Sequence, residues 1–251
     1  MSIKNVIIPV AIIYIFALGY LYFWQDKLIF LNSYSKGYTP RNIKVVKFKS
    51  SDGTVLEGGY LEHKKGLPLV LYFGGNAANV LYFLDDKATK IKNYNFIAFN
   101  YPGYGNSQGK PSEKAILKYA LEIANKYNPQ KIIGRSLGTA VASYVASKVK
   151  VDTLLLITPF DSIENVAQNK YSIFPVKLLI KHKFPELKWL KSSKATEINA
   201  IFVQKDEVIP KESIEHLKKS MNFNKTVTLD ASHNYIYDYK DISKIIDKLL
   251  K

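Results

Sequence analysis

Residues 131–148 read KIIGRSLGTAVASYVASK. Lys131–Gly134 is a short apolar run of strand length, and Leu137–Lys148 is an Ala- and Val-rich stretch that reads as a helix. Between them lies Gly134-Arg135-Ser136-Leu137-Gly138, a G-x-S-x-G pentapeptide. A sharp strand-to-helix turn at this point lifts the serine hydroxyl above a sheet, and the glycines leave room for strained backbone and close neighbours. The backbone N–H of Leu137 then lies at a helix N-terminus, where a developing oxyanion is stabilised.

Outward from this turn, strand-like and helix-like segments alternate. Lys44–Lys49 and Thr54–Glu62 read as two strands joined by a Ser-Asp-Gly turn. Leu69–Phe73, Asn95–Asn100, Lys131–Gly134, Asp152–Ile157, Ala200–Gln204 and Thr226–Leu229 read as six more. Helices are expected over Ala78–Lys92, Ser112 to about Tyr127, Leu137–Lys148, Lys211–Asn222 and Tyr237–Leu250. Residues 160–197 are irregular to helical and rich in aromatics, as a cap-like insertion would be. Repeated alternation implies an α/β fold, a mostly parallel eight-stranded sheet with helices on both faces. Functional residues are then expected beyond the C-terminal ends of the strands.

A serine hydroxyl is a weak nucleophile and needs a base, with a third group to orient that base. Three histidines follow Ser136: His182 in the insertion, His216 inside an expected helix, and His233 in a loop after the last strand. Only His233 has the expected placement. Asp206, following the strand Ala200–Gln204, is the first candidate for the acid; Asp161 and the adjacent Glu207 are the others, and the Glu207 side chain is expected to point elsewhere. The loop Phe73-Gly74-Gly75-Asn76 after the third strand is expected to supply a second oxyanion donor, the N–H of Asn76 or of Gly75.

The chain has 251 residues, 47% of them apolar and 23% charged, so disordered and collagen-like classes are excluded. It has no cysteine, which excludes disulfides, thiolate metal sites and cysteine nucleophiles. Its four histidines lack metal-type spacing, so no metal site is expected. The net charge of +15 invites a nucleic-acid reading, but only Arg41 and Arg135 among 36 basic residues are arginine, and no nucleic-acid motif is present. The lysines read as solvated surface, with some attraction to an anionic leaflet.

Val6 to Trp24 is 19 positions without a charge. As a helix it spans about 28 Å, close to the hydrocarbon thickness. Tyr22, Phe23 and Trp24 crowd its end as an interfacial belt does. A cleaved signal peptide or an apolar helix packed on the domain would be the alternatives, but Gln25-Asp26-Lys27-Leu28 does not look like a cleavage site. The expected division is 1–30 for the anchor and juxtamembrane segment and 31–251 for the domain, with 160–197 as the insertion. The location is a membrane, crossed once; in a bacterium this is the inner membrane. Flanking charges (Lys4 against Asp26, Lys27, Lys36 and Arg41) do not decide the orientation.

These motifs together resemble the membrane-anchored α/β-hydrolases, a group including the α/β-hydrolase-domain depalmitoylases and the fungal bud-emergence-type hydrolases. The resemblance runs over nearly the whole chain. Phe23–Phe30 is similar to the family's post-anchor segment, Tyr72–Asn79 to its oxyanion loop, and Tyr101–Glu113 to its glycine-rich loop. Gly134–Gly138 matches the elbow, Thr158–Ser162 is similar to the segment after it, and Asp206–Pro210 and Ser232–Asn234 match the acid and histidine blocks. Two positions depart from the pattern: Gly74 stands where the family usually has His, and Pro102 where it often has Arg. Neither removes a triad member. The resemblance implies an α/β-hydrolase fold and hydrolysis of ester or thioester bonds through an acyl-enzyme. Ser136, His233 and Asp206 would form the triad, and Leu137 with Asn76 or Gly75 the oxyanion hole, with no metal or organic cofactor. The partners implied are a small-molecule or lipid-like acyl substrate, or an acylated protein, and the membrane. Two other functions stay open: an amidase of the serine aminopeptidase type, and a non-catalytic membrane-tethered module.

Overall fold

Strands β1 (Lys44–Lys49) and β2 (Val55–Leu61) form the expected hairpin, with Gly53 at φ +86° in its turn. β3 (Leu69–Phe73), β4 (Asn95–Phe99), β5 (Lys131–Arg135), β6 (Val151–Ile157), β7 (Ala195–Lys205) and β8 (Lys225–Ser232) complete one eight-stranded sheet. Its order is β1-β2-β4-β3-β5-β6-β7-β8. β2 pairs antiparallel with β1 and β4, and the pairs from β4 onward are parallel. The structure, a computed structural model, describes residues 3–251; Met1 and Ser2, at the start of the expected anchor, lie outside the described residues.

The apolar runs of β3 to β6 follow from burial on both faces. Along β3, Leu71 and Phe73 join one core, and Val70 and Tyr72 join the other. The first core is closed by α3 (Glu113–Tyr127), α4 (Leu137–Lys148) and residues of α7 (Glu186–Lys191) and α8 (Lys211–Ser220). The second is closed by the helical segment after β3 and by α9 (Ile242–Leu250). Ser112 caps α3 by accepting the Ala115 N–H at 3.2 Å, and Asn128 ends it in the left-handed region. This is the mostly parallel α/β sheet expected from the alternating pattern, in the α/β-hydrolase arrangement that the resemblance implies.

Three expected elements differ in extent. Ala78–Lys92 is not one helix: it divides into α2 (Val80–Tyr82), a π turn at Phe83–Lys87 and a 3₁₀ turn at Ala88–Lys90. In this widened turn Phe83 stacks on Tyr72 at 3.9 Å, while the buried Asp85 carboxylate accepts from Tyr38 Oη and the Arg41 and Asn42 N–H groups. β7 begins at Ala195, where it pairs with Val151, so its first residues overlap the expected 160–197 insertion. The rest of that insertion forms α5 (Ile163–Lys170), α6 (Val176–Leu179) and α7. The last expected helix starts late, because Asp241 at φ +61° separates α9 from a 3₁₀ turn at Ile236–Asp238.

The N-terminal helix α1 (Lys4–Ile29) has 26 residues and is about 39 Å long. It is long and apolar enough to cross a membrane, and among the described residues it is the one helix that is. Its first half projects from the domain with its apolar side chains exposed, and Phe30, just past its end, is buried in the first core.

Where β3 passes α4, backbones nearly touch. A Cβ on Gly138 would lie 2.6 Å from the Gly74 carbonyl oxygen and 2.7 Å from the Phe73 carbonyl carbon. Gly138→Ala is expected to cost about 1–3 kcal/mol or more, since neither contact is a flexible side-chain end. Gly19→Ala, with open space around it in α1, should not lower stability and is expected to raise it by up to about 1 kcal/mol through helix propensity; thermal unfolding of the two variants side by side checks this.

Candidate active site

Ser136 sits between β5 and α4 with φ +51° and ψ −123°, a conformation that costs a non-glycine residue about 1–3 kcal/mol. The surroundings hold it there. Its N–H donates to the Ile157 carbonyl at 2.9 Å, and its carbonyl accepts the Thr139 N–H at 2.7 Å. Gly134 is required as well, since a Cβ there would lie 2.6 Å from Thr139 Cα. The turn thus delivers the Ser136 hydroxyl to the C-terminal edge of the sheet.

Asp206 follows β7 and His233 follows β8, on the same edge. The structure brings the three expected residues together. Ser136 Oγ lies 2.8 Å from His233 Nε2, and His233 Nδ1 lies 3.0 Å from Asp206 Oδ2. The His233 ring is 2% exposed, so bulk water does not compete for it. Asp206 Oδ1 accepts the Val208 and Ile209 N–H groups. Burial works to raise the Asp206 pKa, but the hydrogen bonds from His233, Ile209 and Val208 outweigh it and hold the carboxyl below its ordinary value. Asp206 is therefore ionised at neutral pH, and its charge favours the Nδ1–H tautomer of His233, which leaves Nε2 as an acceptor for Ser136.

The Leu137 N–H opens α4 beside Ser136, and among the described residues it and the Asn76 N–H donate to no other protein group. Gly75 is constrained differently: a Cβ there would lie 2.6 Å from an Arg135 guanidinium nitrogen. Arg135 itself is buried, and its Nη2 donates to the His233 carbonyl at 2.8 Å. It ties the loop carrying the histidine to the elbow.

Several positioning residues were not readable from the motifs. Glu207 does not point away: its two oxygens accept the His233 and Asn234 N–H groups at 2.8 and 3.1 Å. Its place beside the candidate acid was the only signal. The Asn76 side chain binds the end of α1, accepting the Leu31 N–H at 2.9 Å and donating to the Ile29 carbonyl at 2.5 Å. Tyr104 Oη donates to the same Asn76 oxygen at 2.7 Å, and Tyr101 Oη donates to the Gly74 carbonyl at 2.8 Å. Asp161, the alternative acid, is committed elsewhere, to Ser213 Oγ at 2.5 Å and His216 Nδ1 at 2.8 Å. His182 pairs with Asp26 of α1. No group of three or more His, Cys, Asp or Glu residues that could hold a metal occurs among the described residues.

One buried carboxyl stands behind the elbow. Glu186 of α7 is fully buried, and its Oε2 lies 2.7 Å from Thr139 Oγ1, which in turn lies 2.6 Å from the Ser136 carbonyl oxygen. Burial raises its pKa well above the ordinary carboxylate value, against the smaller opposing effect of its hydrogen bonds. A protonated Glu186 can donate to Thr139, leaving the Thr139 hydroxyl proton for the Ser136 carbonyl.

Fold and site geometry together define an α/β hydrolase, and comparisons with known proteins bear this out. An uncharacterised membrane protein of Saccharomyces cerevisiae is 30% identical over 213 residues, covering 76% of this chain and 75% of that one. The chain belongs to the α/β-hydrolase family. The lysophosphatidylserine lipase ABHD12 of Xenopus tropicalis is 28% identical over 184 residues, 66% of this chain and 45% of that protein. An esterase from Pyrococcus furiosus has the same fold, with a TM-score of 0.64 at 19% identity over 85% of this chain and 95% of its own. No protein-family model matches the chain. Family membership supports hydrolase activity.

The buried Glu186 makes stability depend on pH with a definite sign. An acid whose folded pKa is raised keeps its proton in the folded state while the unfolded chain ionises above pH about 4.3. The native protein therefore loses stability as pH rises above that value, until Glu186 itself ionises. Glu186→Gln removes this loss, so its stability relative to the native chain should grow between pH 5 and pH 8. Urea unfolding of both proteins across that range measures it; a pH-independent difference would mean that Glu186 is ionised in the fold.

Proposed function

We propose that the protein is a membrane-anchored serine hydrolase that cleaves ester or thioester acyl bonds through an acyl-enzyme. The observation that carries this reading is the chain of contacts from Ser136 Oγ through His233 to Asp206, set beside two unengaged backbone N–H groups. Ser136 Oγ attacks the acyl carbon while His233 Nε2 takes its proton. The carbonyl oxygen becomes an oxyanion held by the Leu137 and Asn76 N–H groups. His233 then gives the proton to the leaving oxygen or sulfur, and the acyl group stays on Ser136. Water, deprotonated by His233, attacks the acyl-enzyme ester, and collapse of the second oxyanion breaks the bond to Ser136 Oγ, which takes the proton from His233 as the acid leaves. Asp206 stays ionised throughout and stabilises the imidazolium.

A lipid-like substrate fits the surroundings. An apolar recess of about 70 Å³ lies between α1 and the insertion, lined by Leu21, Leu28, Ile29, Val176, Leu179 and others. Ile29, which lines this recess, also accepts a hydrogen bond from the Asn76 side chain of the oxyanion loop through its carbonyl. On another side, a cleft of about 490 Å³ reaches Arg135 and Asn234 and has room for a leaving group. The name of the amphibian relative, a lysophospholipid lipase, agrees with such a substrate. The peptidase reading is less well supported, because Glu207 and Asp161 are spent on internal hydrogen bonds and are not free to hold a substrate amine. In this reading residues 1–30 form a single-pass anchor and residues 31–251 the catalytic domain.

A fluorescent fluorophosphonate should label the protein in membranes, and Ser136→Ala should abolish the label. A folded native protein that stays unlabelled would remove the serine-hydrolase reading. Asp206→Asn, which favours the wrong tautomer of His233, should lower kcat by about 10⁴-fold on an acyl ester. Asn76→Ala frees the oxyanion loop from both α1 and Tyr104. Loss of up to about 10²-fold in kcat is expected from the misplaced donor, with KM for a soluble short-chain ester little changed; an unaltered kcat would show that the Asn76 side chain is not needed to position the loop.

A further inference from the structure

The anchor helix does not leave the domain freely. From Tyr14 to Asp26 one side of α1 rests on the insertion. The Tyr14 ring stacks on Phe174 at 5.4 Å, and its hydroxyl donates to the Ile173 carbonyl at 3.0 Å. Gln25 Nε2 donates to the Leu179 carbonyl at 3.1 Å, while Gln25 Oε1 accepts the Lys181 N–H at 2.6 Å. Lys181 Nζ lies 4.2 Å from the Tyr22 ring centre, and Asp26 pairs with His182 at 2.9 Å. These contacts fix the depth of the segment 171–180 relative to α1. Tyr14 lies in the middle of the uncharged Val6–Trp24 stretch, about 15 Å along the helix from Trp24. Wherever the second half of α1 lies in a membrane, the tip of the insertion lies beside it.

The tip has the chemistry for that position. Ile173 and Leu178 are 74% and 85% exposed, although they are large and apolar. Backbone in hydrocarbon must satisfy its polar groups, and here six of the tip's nine N–H groups are paired within the protein, those of Ser172, Ile173 and Leu179 being the exceptions. The N–H groups of Tyr171, Phe174, Val176, Leu178 and Ile180 all donate to carbonyls of the segment 167–176. The Lys177 N–H donates to Gln168, Gln168 donates to the Phe174 carbonyl, and Pro175 has no N–H to satisfy. The Ile173 and Leu179 carbonyls are taken by side chains of α1 itself. From Asn165 to Pro185 there is no acidic residue, while Lys170, Lys177 and Lys181 flank the apolar side chains. Long lysine side chains can carry their charges out to anionic headgroups from such a position.

We infer that residues 171–180 are a second membrane-inserting element, clamped to α1 and buried in the same leaflet as its C-terminal half, with an anionic lipid bilayer as its partner. The protein then meets the membrane through two elements, and the recess between them opens toward the acyl chains of the lipids. This rests on reading α1 as a membrane helix.

The absence of cysteine makes the test clean, because a single introduced cysteine carries a single probe. The full chain is reconstituted in vesicles of phosphatidylcholine and phosphatidylglycerol, with an environment-sensitive fluorophore on Ile173→Cys, Leu178→Cys, Ile13→Cys in the anchor or Lys248→Cys on α9. The probes at 173 and 178 should shift to the blue and be quenched by acyl-chain-labelled lipids to the extent seen at 13, while the probe at 248 stays solvent-like. Quenching at 13 with solvent-like emission at both 173 and 178 would overturn the inference and leave the anchor standing. Solvent-like emission at 13 as well would overturn both. Thermal unfolding of each labelled variant confirms that the fold is retained.

Discussion

A backbone held against its own preference organises this molecule. Ser136 adopts a positive φ only because parallel strands on either side and a helix packed within contact of β3 leave no other path. The Ile157 carbonyl from β6 fixes the amide before the turn, and Thr139 fixes the carbonyl after it. Gly134 and Gly138 let the layers approach so closely that no side chain fits between them. Release of that turn would cost the alignment of the Ser136 hydroxyl with His233 and of the Leu137 N–H with the same point in space. The sheet's role in function is mechanical: it supplies the rigidity that makes a strained residue affordable.

Carboxyl groups around this turn hold different charge states because their surroundings differ. Asp206 is ionised, since His233 and two backbone amides favour its charged form more than burial disfavours it. Glu207, beside it, is likewise held below its ordinary pKa: burial opposes ionisation, while backbone amides, those of His233 and Asn234 among them, outweigh it. Glu186 lies deepest, has one oxygen with no partner among the described residues, and burial pushes its pKa well above the ordinary carboxylate value. The same side-chain chemistry is thus pushed in opposite directions by burial and by hydrogen bonding.

The anchor is continuous with this arrangement. Ile29 and Leu31 grip the Asn76 side chain, Phe30 fills the first core, and Asn32 reaches the Gly103 carbonyl. Farther out, α1 pairs with the insertion through Asp26, Gln25 and Tyr14. The apolar N-terminal helix, the insertion and the oxyanion loop therefore share contacts, so a displacement of α1 would reach the loop that carries the proposed oxyanion donors.

Much of this was legible in residue order. The alternation of apolar runs with helical stretches identified β3 to β6, because parallel strands buried on both faces leave a continuous apolar run, and the Ser-Asp-Gly turn marked the β1–β2 hairpin. The elbow, Asp206 and His233 could be singled out because each follows a strand, and the strands of a parallel sheet end on one edge. Asp161 and Glu207 could be ranked behind Asp206 but not assigned work of their own. The first half of β7 was missed because Thr196, Glu197 and Asn199 carry no apolar signal; pairing with β6, not propensity, makes them a strand. The broken helix after α2 was missed because its cause, the pull of the 38–42 linker on Asp85, acts between residues about 45 positions apart. By itself the sequence determined the fold class, the apolar N-terminal helix and the three residues of the candidate triad, all carried by local pattern. Only the tertiary structure decided which carboxyl faces which partner, that Glu207 clasps the histidine loop, and that α1 lies against the insertion and Asn76. Those are hydrogen bonds between segments distant in the chain, and no local pattern encodes a contact that folding alone brings together.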